Sequence, residues 1–205
     1  MSKSTIKYSQ NITPGHGLLE KFLSKKRSAT ANMLIEQIHT NHGRILDIGC
    51  GVIPLFLMSG DFKEKFGVDQ AVNTSFQTQN LTLIKFDVEN EPILPFGDNN
   101  FDIVTMLAVF EHIEQRRLPQ ILCEIRRVLK PGGTLILTTP CPWTNKLLRC
   151  MAFFHIVSQE GMNEHQGAYN HADLAEYLSQ GGFDRKKMRF GYFELFLNSW
   201  ISAQT

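Results

Sequence analysis

One short stretch limits the possible folds of this chain more than any other. Residues 45–57 read Ile-Leu-Asp-Ile-Gly-Cys-Gly-Val-Ile-Pro-Leu-Phe-Leu. The apolar start is typical of a buried parallel strand, and Asp47 falls near its end, where ligands bind in open α/β sheets. Gly49 and Gly51 follow, and because glycine has no Cβ atom the chain can turn sharply and lie against a ligand. Pro54 suits the first position of a helix, so the stretch predicts a strand, a glycine turn and a helix that bind a nucleotide.

The composition is typical of a globular protein. The chain has 205 residues, enough for one α/β domain with a real core, and 42% of them are hydrophobic and 20% charged. The net charge of +1 gives no general attraction to nucleic acid, which makes a nucleic-acid partner a poor expectation. No segment reaches the roughly 18 apolar residues of a membrane span. Residues 1–10 lack the apolar core of a signal peptide, so we expect a cytoplasmic protein.

The cysteines follow neither a metal pattern nor a redox pattern. None of them is spaced as Cys-x-x-Cys, which argues against a zinc ribbon and a redox pair. We expect reduced thiols, as in cytosolic proteins, and no metal site. The cysteines are Cys50, Cys123, Cys141 and Cys150.

Apolar runs and helical stripes alternate along the chain. Strands are predicted at 45–48, 66–69, 81–86, 101–107 and 134–139, with an antiparallel pair at 187–193 and 195–203. Helices are predicted at 18–26, 28–40 and 54–59, in a very short form within 71–79, at 118–130 and around 174–178. Pro131-Gly132-Gly133 and Gly181-Gly182 are expected to end the last two helices. This alternation indicates an α/β fold with a Rossmann-like, doubly wound parallel sheet.

Asp69 ends the second predicted strand, 22 positions after Asp47. Nucleotide folds place a ribose-binding acid at roughly 20 residues beyond the glycine turn. A carboxylate can accept two hydrogen bonds side by side, which matches the two hydroxyls of a ribose. The alternative is a surface aspartate at a strand end, but the spacing favours the ribose role.

Four short motifs occur in a fixed order between residues 44 and 139. They are Ile-Leu-Asp-Ile-Gly-Cys-Gly at 45–51, Phe-Gly-Val-Asp at 66–69, Leu-Pro-Phe-Gly-Asp-Asn-Asn-Phe-Asp-Ile-Val at 94–104 and Val-Leu-Lys-Pro-Gly-Gly-Thr-Leu at 128–135. One such motif is weak evidence, but the ordered set resembles the class I S-adenosylmethionine-dependent methyltransferases, and most of all their small-molecule subgroup. The resemblance implies a seven-stranded sheet that is mostly parallel, with an antiparallel C-terminal edge strand.

The resemblance also implies a cofactor, S-adenosyl-L-methionine, which leaves as S-adenosyl-L-homocysteine. The first motif would hold its methionine part, Asp69 its ribose and Asp87 its adenine amino group. The backbone of Val88 would face the adenine ring, and the backbone of Leu107 and Ala108 would meet the ammonium group. The full set of implied cofactor-binding residues is Asp47, Gly49, Cys50, Gly51, Asp69, Gln70, Asp87, Val88, Leu107 and Ala108.

One position departs from the family pattern. The family usually has a third glycine two positions after Gly51, and this chain has Ile53. Either the following helix shifts slightly and the site stays usable, or the isoleucine narrows the pocket and weakens cofactor binding. The first interpretation is favoured because Asp47, Asp69 and Asp87 are all present.

Methyl transfer to a hydroxyl benefits from a base, and four residues are candidates. Glu111 and His112 follow the fourth predicted strand, and His165 and His171 come later. The alternative for Glu111 and His112 is a role in capping or packing a helix start. His165 is our first choice, because it lies in the variable region that should meet the acceptor.

The chain is predicted to form one methyltransferase domain. Its parts are N-terminal helices at 1–43, a cofactor-binding core at 44–139, a lid or acceptor insert at 140–170 and a C-terminal helix with a strand pair at 171–205. Within the insert, residues 147–155 suggest an amphipathic helix, and Trp143, Phe153 and Phe154 could line an acceptor pocket. The same helix could equally pack on the sheet, or on a second copy of the chain in a homodimer.

Other classes fit less well. A nicotinamide dehydrogenase would need glycine at position 54, where this chain has Pro54. Methylation of base amines usually shows Asn/Asp-Pro-Pro-aromatic after the fourth strand, whereas this chain has Ala-Val-Phe-Glu at 108–111. An RNA or protein methyltransferase and a non-catalytic accessory protein with the same fold remain alternatives. We expect methyl transfer to a small molecule, at a hydroxyl oxygen.

Overall fold

The computed structural model describes residues 18–38, 43–73, 76–78, 80–91, 93–144 and 167–205. Several predicted features lie outside these residues, namely His165, Phe153, Phe154, Cys150 and the helix expected at 147–155.

The protein is built around one twisted sheet. Its strands are β1 (Arg44–Ile48), β2 (Glu64–Asp69), β3 (Phe76–Gln77), β4 (Leu81–Lys85), β5 (Phe101–Leu107), β6 (Leu129–Pro140), β7 (Met188–Phe193) and β8 (Asn198–Gln204). They lie in the order β3-β4-β2-β1-β5-β6-β8-β7. The strands β4, β2, β1, β5 and β6 pair in parallel, and β8 runs antiparallel between β6 and β7. The predicted mixed sheet of seven strands is thereby confirmed, with the two-residue β3 added at one edge.

The prediction of a very short helix within 71–79 is wrong. Phe76 and Gln77 instead pair antiparallel with Leu83 and Thr82 of β4. The segment reads Ala-Val-Asn-Thr-Ser-Phe-Gln-Thr-Gln, and its Val, Asn, Thr and Ser residues are poor helix formers. The sheet edge offers free hydrogen-bonding groups, and Phe76 and Gln77 pair with it as a short strand.

The helices are α1 (Leu18–Ile38), α2 (Leu55–Ser59), α3 (Leu118–Val128) and α4 (His171–Gln180). The two predicted N-terminal helices are one continuous helix, α1, because no glycine or proline separates them. Pro54 precedes α2, with a ψ of 67° that is not helical.

The Pro-Gly-Gly segment does not end α3 as predicted. α3 ends at Val128, and residues 131–133 already belong to β6. The pairing of β5 with β6 shifts register across this segment, from Phe101 opposite Leu129 to Ile103 opposite Thr134. The segment is thus a strand irregularity that absorbs the extra residues.

Helices cover both faces of the sheet. One core cluster contains the buried faces of α3 and α4, and a second contains those of α1 and α2. β1 supplies both, since Leu46 and Ile48 lie in the first cluster and Ile45 in the second. This side-to-side alternation is expected of a strand buried on both faces, and it leaves the carboxyl ends of the strands as the place for a site.

Candidate functional site

The turn after β1 depends on its two glycines for different reasons. Gly49 has a φ of 75°, and a Cβ atom on it would lie 2.2 Å from the side chain of Val109. Gly51 has a φ of 70°, and a Cβ atom on it would meet no other atom within 4 Å. Gly49 is therefore needed for packing, whereas Gly51 exposes bare backbone to open space.

Asp69 ties the glycine turn to the end of β2. Its Oδ2 accepts a hydrogen bond from the Gly51 amide at 2.8 Å, and its Oδ1 accepts one from the Ala71 amide at 2.7 Å. The neighbouring Gln70 is exposed. The carboxylate keeps unused acceptor positions, so it can hold the turn and still accept hydrogen bonds from a ligand.

Asp47 is a buried acid beneath this turn. It is 4% exposed, and its Oδ1 accepts a hydrogen bond from the Thr105 hydroxyl at 2.6 Å. Burial raises the pKa of Asp47 to about 7. The hydrogen bond from Thr105 lowers this pKa, and the nearby charge of Asp69 raises it further. A cation bound here would relieve this unfavourable burial of charge.

Cys50 contributes backbone rather than a reactive thiol. Its sulfur lies over Gly67, where an added Cβ atom would come within 2.6 Å of it. Burial, followed by the charges of Asp47 and Asp69, raises the pKa of this thiol far above its ordinary value. The side chain is therefore an inert part of the core.

Asp87 follows β4 and stays ionised within a turn. Its Oδ1 accepts from the amides of Glu89 and Asn90 at 3.0 and 3.2 Å, and its Oδ2 accepts from the Asn90 side-chain amide at 2.8 Å. These hydrogen bonds, above all the one from the Asn90 side chain, hold the pKa of Asp87 below its ordinary value. Val88, next in the chain, packs against the core.

The end of β5 carries a strained residue. Ala108, directly after Leu107, has a φ of 58°, which is uncommon for a residue other than glycine. Its amide donates to the carbonyl of Thr138 at 3.0 Å, which ties the ends of β5 and β6 together. Strain of this kind concentrates at ligand sites.

Ile53 does not fill the space beside Gly51. Its side chain is 59% exposed. None of its atoms lies within 4 Å of the position that a Cβ atom on Gly51 would take. Of the two interpretations of this departure, the structure therefore favours the open site.

Glu111 and His112 lie in a short 3₁₀ turn, Phe110–His112, after β5. Glu111 is 2% exposed, and its Oε2 has no hydrogen-bond partner. Burial raises the pKa of Glu111, while its own backbone, the charge of His112 and the Thr139 hydroxyl oppose this. Burial thus favours the protonated form of this carboxyl group.

A cavity of about 530 Å³ opens at the carboxyl end of β6, next to the cofactor side. Residues from three separate parts of the chain line it, and only Trp143 among them was predicted as pocket-lining. They are Cys141, Pro142, Trp143, Tyr169, Asn170, His171, Tyr192, Phe196 and Ser199.

The cavity wall from β7 to β8 is an unusual hairpin. Glu194, Leu195 and Phe196 all have positive φ values, 52°, 53° and 67°. The Leu197 amide donates to the Glu194 carbonyl at 3.0 Å, and the Cys141 amide donates to the Leu197 carbonyl at 2.9 Å. The second strand of the pair, expected from residue 195, begins only at Asn198. No glycine marks the turn, so no local signal predicted its length.

Among the described residues, no cluster of His, Cys, Asp and Glu could hold a metal ion. No helix in the same residues is long and apolar enough to cross a membrane.

Comparison with known proteins agrees with this architecture. A family model described as a methyltransferase domain matches residues 46–137. The chain is 33% identical over 114 residues to a demethylmenaquinone methyltransferase of Symbiobacterium thermophilum, a match that covers 50% of this chain and 45% of that protein. It is 32% identical over 114 residues to the sterol 4-C-methyltransferase strm-1 of Caenorhabditis elegans, covering 50% of this chain and 31% of the other. The chain thus spans less than half the length of these curated relatives.

A solved structure shares the fold over almost the whole chain. The S-adenosylmethionine-dependent methyltransferase from Archaeoglobus fulgidus superposes with a TM-score of 0.62 at 16% identity, covering 92% of this chain and 100% of that one. Residues 46–137 thus match a methyltransferase domain, and the chain shares the fold of the S-adenosylmethionine-dependent methyltransferases.

Proposed function

We propose that the chain binds S-adenosyl-L-methionine at the glycine turn and transfers its methyl group to a small molecule, at a hydroxyl oxygen. One observation carries the proposal: the backbone at Gly51 is open, and the Asp69 carboxylate binds its amide. Asp47 and Asp87 lie at or just beyond the carboxyl ends of β1 and β4, the two strands that neighbour β2.

The chemistry of these groups fits this cofactor. It has no phosphate, and it carries an ammonium and a sulfonium, so acids and carbonyl oxygens suit it better than helix amides do. Asp69 would accept from the ribose hydroxyls, and Asp87 from the adenine amino group. Leu107 and Ala108 would offer backbone to the ammonium end. The bound cofactor supplies an activated methyl group, and the chain aligns the acceptor and excludes water.

The other parts of the proposal concern the acceptor side. Segment 140–170 would cover the acceptor, and Glu111, His112, His165 or His171 would take its proton. The two curated relatives are named for menaquinone and sterol substrates, which supports an apolar small molecule rather than RNA or a protein. A second copy of the chain is the proposed protein partner, and analytical ultracentrifugation would test it.

The binding test is calorimetry with S-adenosyl-L-homocysteine. We expect saturable binding, and an absence of binding at millimolar ligand would favour a non-catalytic accessory protein of the same fold. Incubation of metabolite pools with labelled cofactor, followed by mass spectrometry, would then identify the acceptor. If a variant with both His112→Ala and His165→Ala kept full turnover, neither histidine would be the base.

A further inference from the structure

We infer that the aromatic cavity beside β6 is the acceptor site, and that it takes a neutral, flat ring system whose hydroxyl group hydrogen-bonds to Nε2 of His171. The inference rests on the proposed function and assigns its acceptor class and its base.

The lining selects against charge. Among the residues that the structure describes, no Lys, Arg, Asp or Glu lines the cavity. A carboxylate or phosphate placed there would lose its hydration without gaining a partner, which is strongly unfavourable. The acceptor portion inside the cavity must therefore be uncharged.

The exposed aromatic faces select for a flat ring. Trp143, Tyr192 and Phe196 are 43%, 49% and 64% exposed, although each is a large apolar side chain. Exposed apolar side chains that converge on a concave surface mark a ligand site. Aromatic faces gain most from another ring in offset or edge contact, and about 530 Å³ accommodates a ring system of two or three rings.

His171 is the polar group of this site. Its ring stacks on Tyr192 with centroids 4.4 Å apart and contacts Phe190 at 5.2 Å. The Gly191 backbone hydrogen-bonds the imidazole, and Nε2 is buried with no partner, so Nδ1 is the donor to Gly191. This arrangement leaves a lone pair on Nε2, which is the acceptor that a ligand hydroxyl needs.

Two other polar side chains of the lining are already engaged. Asn170 caps α4 by accepting from the amides of Ala172 and Asp173. The Ser199 hydroxyl donates to the Thr139 carbonyl at 3.3 Å. The Tyr169 hydroxyl, like Nε2 of His171, is buried without a partner, and burial raises the pKa of Tyr169 to about 12, so it stays a neutral phenol. Of these two unpartnered atoms, only Nε2 of His171 can take up a hydroxyl proton.

The position suits transfer from the cofactor side. Ala108 at the end of β5 is bonded to Thr138 of β6, and neighbouring strands lie about 5 Å apart. In the transfer the acceptor oxygen bonds to the methyl carbon, and the bond from that carbon to the sulfonium sulfur breaks with its electron pair going to sulfur. The hydroxyl proton moves to Nε2 of His171 and then leaves to solvent. Burial lowers the pKa of His171 below its ordinary value, which favours the uncharged imidazole.

The test is calorimetric binding of 2-naphthol and of its methyl ether, which lacks the hydroxyl donor. We expect wild type to bind 2-naphthol below about 1 mM and the ether about tenfold more weakly. His171→Asn keeps a donor for Gly191 but removes the acceptor, so it should bind both ligands as weakly as the ether. His171→Gln places an amide oxygen near Nε2, and it should restore 2-naphthol binding without restoring the rate of methyl transfer.

Two controls separate the possible failures. Phe196→Ala should weaken the binding of both ligands. Ile93→Ser, at a 67% exposed apolar residue outside the cavity, should leave the binding of both unchanged. The inference is overturned if wild type does not bind 2-naphthol, or if His171→Asn binds it as wild type does. S-adenosyl-L-homocysteine binding, measured on the same samples, reports on the proposed function independently.

Discussion

The glycine turn after β1 is fixed by hydrogen bonds to the backbone, whereas the cavity on the β6 side of the same sheet edge is walled by side chains. In the turn, Asp69 binds the amides of Gly51 and Ala71, and the Val68 carbonyl accepts from the amides of Gly49 and Cys50 at 2.8 and 3.3 Å. In the cavity, aromatic rings form the surface and Nε2 of His171 is left without a partner.

This difference separates two kinds of recognition. In the proposed cofactor site, backbone amides and carbonyls, which any residue supplies, would meet the ligand, and Asp69 holds the turn that presents them. The acceptor side uses the shapes of particular side chains, which can change without disturbing the turn. Substitutions on one side should therefore leave ligand binding on the other side intact.

The largest expected effect concerns stability at Asp47. Its pKa in the folded protein, about 7, lies above the ordinary value of 3.8, so its contribution to stability is fully present below pH 3.8 and is lost as the pH rises through about 7. Asp47→Asn keeps an acceptor for Thr105 and removes the buried charge. Well above pH 7 the variant should be more stable than wild type by on the order of 4 kcal/mol.

Urea denaturation across this pH range would measure the effect. The gain should shrink as the pH falls below about 7 and should disappear near pH 3 to 4. Equal stabilities of the two proteins at every pH would show that Asp47 is not buried as a charge. The same variant should bind S-adenosyl-L-homocysteine more weakly and 2-naphthol normally.

Next in size is the loss of cofactor affinity at Asp69. Asp69→Ala removes a carboxylate that would accept from two ribose hydroxyls, and charge-assisted hydrogen bonds contribute roughly 1.5 to 3 kcal/mol each. Calorimetry with S-adenosyl-L-homocysteine should show a loss of about 100-fold or more. Asp69→Asn, which keeps one oxygen acceptor, should bind S-adenosyl-L-homocysteine with an affinity between those of wild type and Asp69→Ala. Unchanged affinity in the alanine variant would remove Asp69 from the site.

Alanine substitutions at the two glycines of the turn should have different effects on stability and on cofactor affinity. Gly49→Ala places a Cβ atom against Val109 at a φ of 75°, and it should destabilise the fold by roughly 2 kcal/mol. Adding Val109→Ala should restore part of that stability in a double-mutant cycle. Gly51→Ala has room for its methyl group, so it should cost less stability and more cofactor affinity. Identical behaviour of the two glycine variants would contradict this division of roles.

The strands that carry the proposed cofactor groups could be predicted because their signal is local. Asp47, Asp69 and Leu107 lie at or next to the last residue of a strand, and β5 and β1 stand where the apolar runs at 101–107 and 45–48 place them. Where the pattern misled, other forces decided. Edge pairing overrode the helix expected within 71–79, and residues 131–133 continue a strand with a register shift instead of ending a helix.

The acceptor side could not be predicted in the same way. Its lining comes from 141–143, 169–171 and 192–199, which only the fold brings together. His171 was one of four candidate bases in the sequence, and no local pattern ranked it above His165. Its role depends on the Gly191 backbone and the Tyr192 ring, contacts across α4 and β7 that have no short-range signature.

The smallest expected effect tests the hairpin that shapes the cavity. Leu195 is 89% exposed at a φ of 53°, so its side chain adds backbone strain and little packing. Leu195→Gly removes that strain but also raises the entropy of the unfolded chain, which opposes folding. The net stabilisation should be roughly 0.5 to 1 kcal/mol. Thermal unfolding should detect it, and 2-naphthol binding should not change.

Phe196→Gly is the matched substitution, since Phe196 has a φ of 67° and also lines the cavity. It should relieve similar strain, but it should weaken 2-naphthol because a ring of the wall is lost. If Leu195→Gly weakened the ligand as much as Phe196→Gly did, the hairpin would act through its rigidity and not through the Phe196 ring. The acceptor side would then depend on backbone geometry, as the glycine turn does.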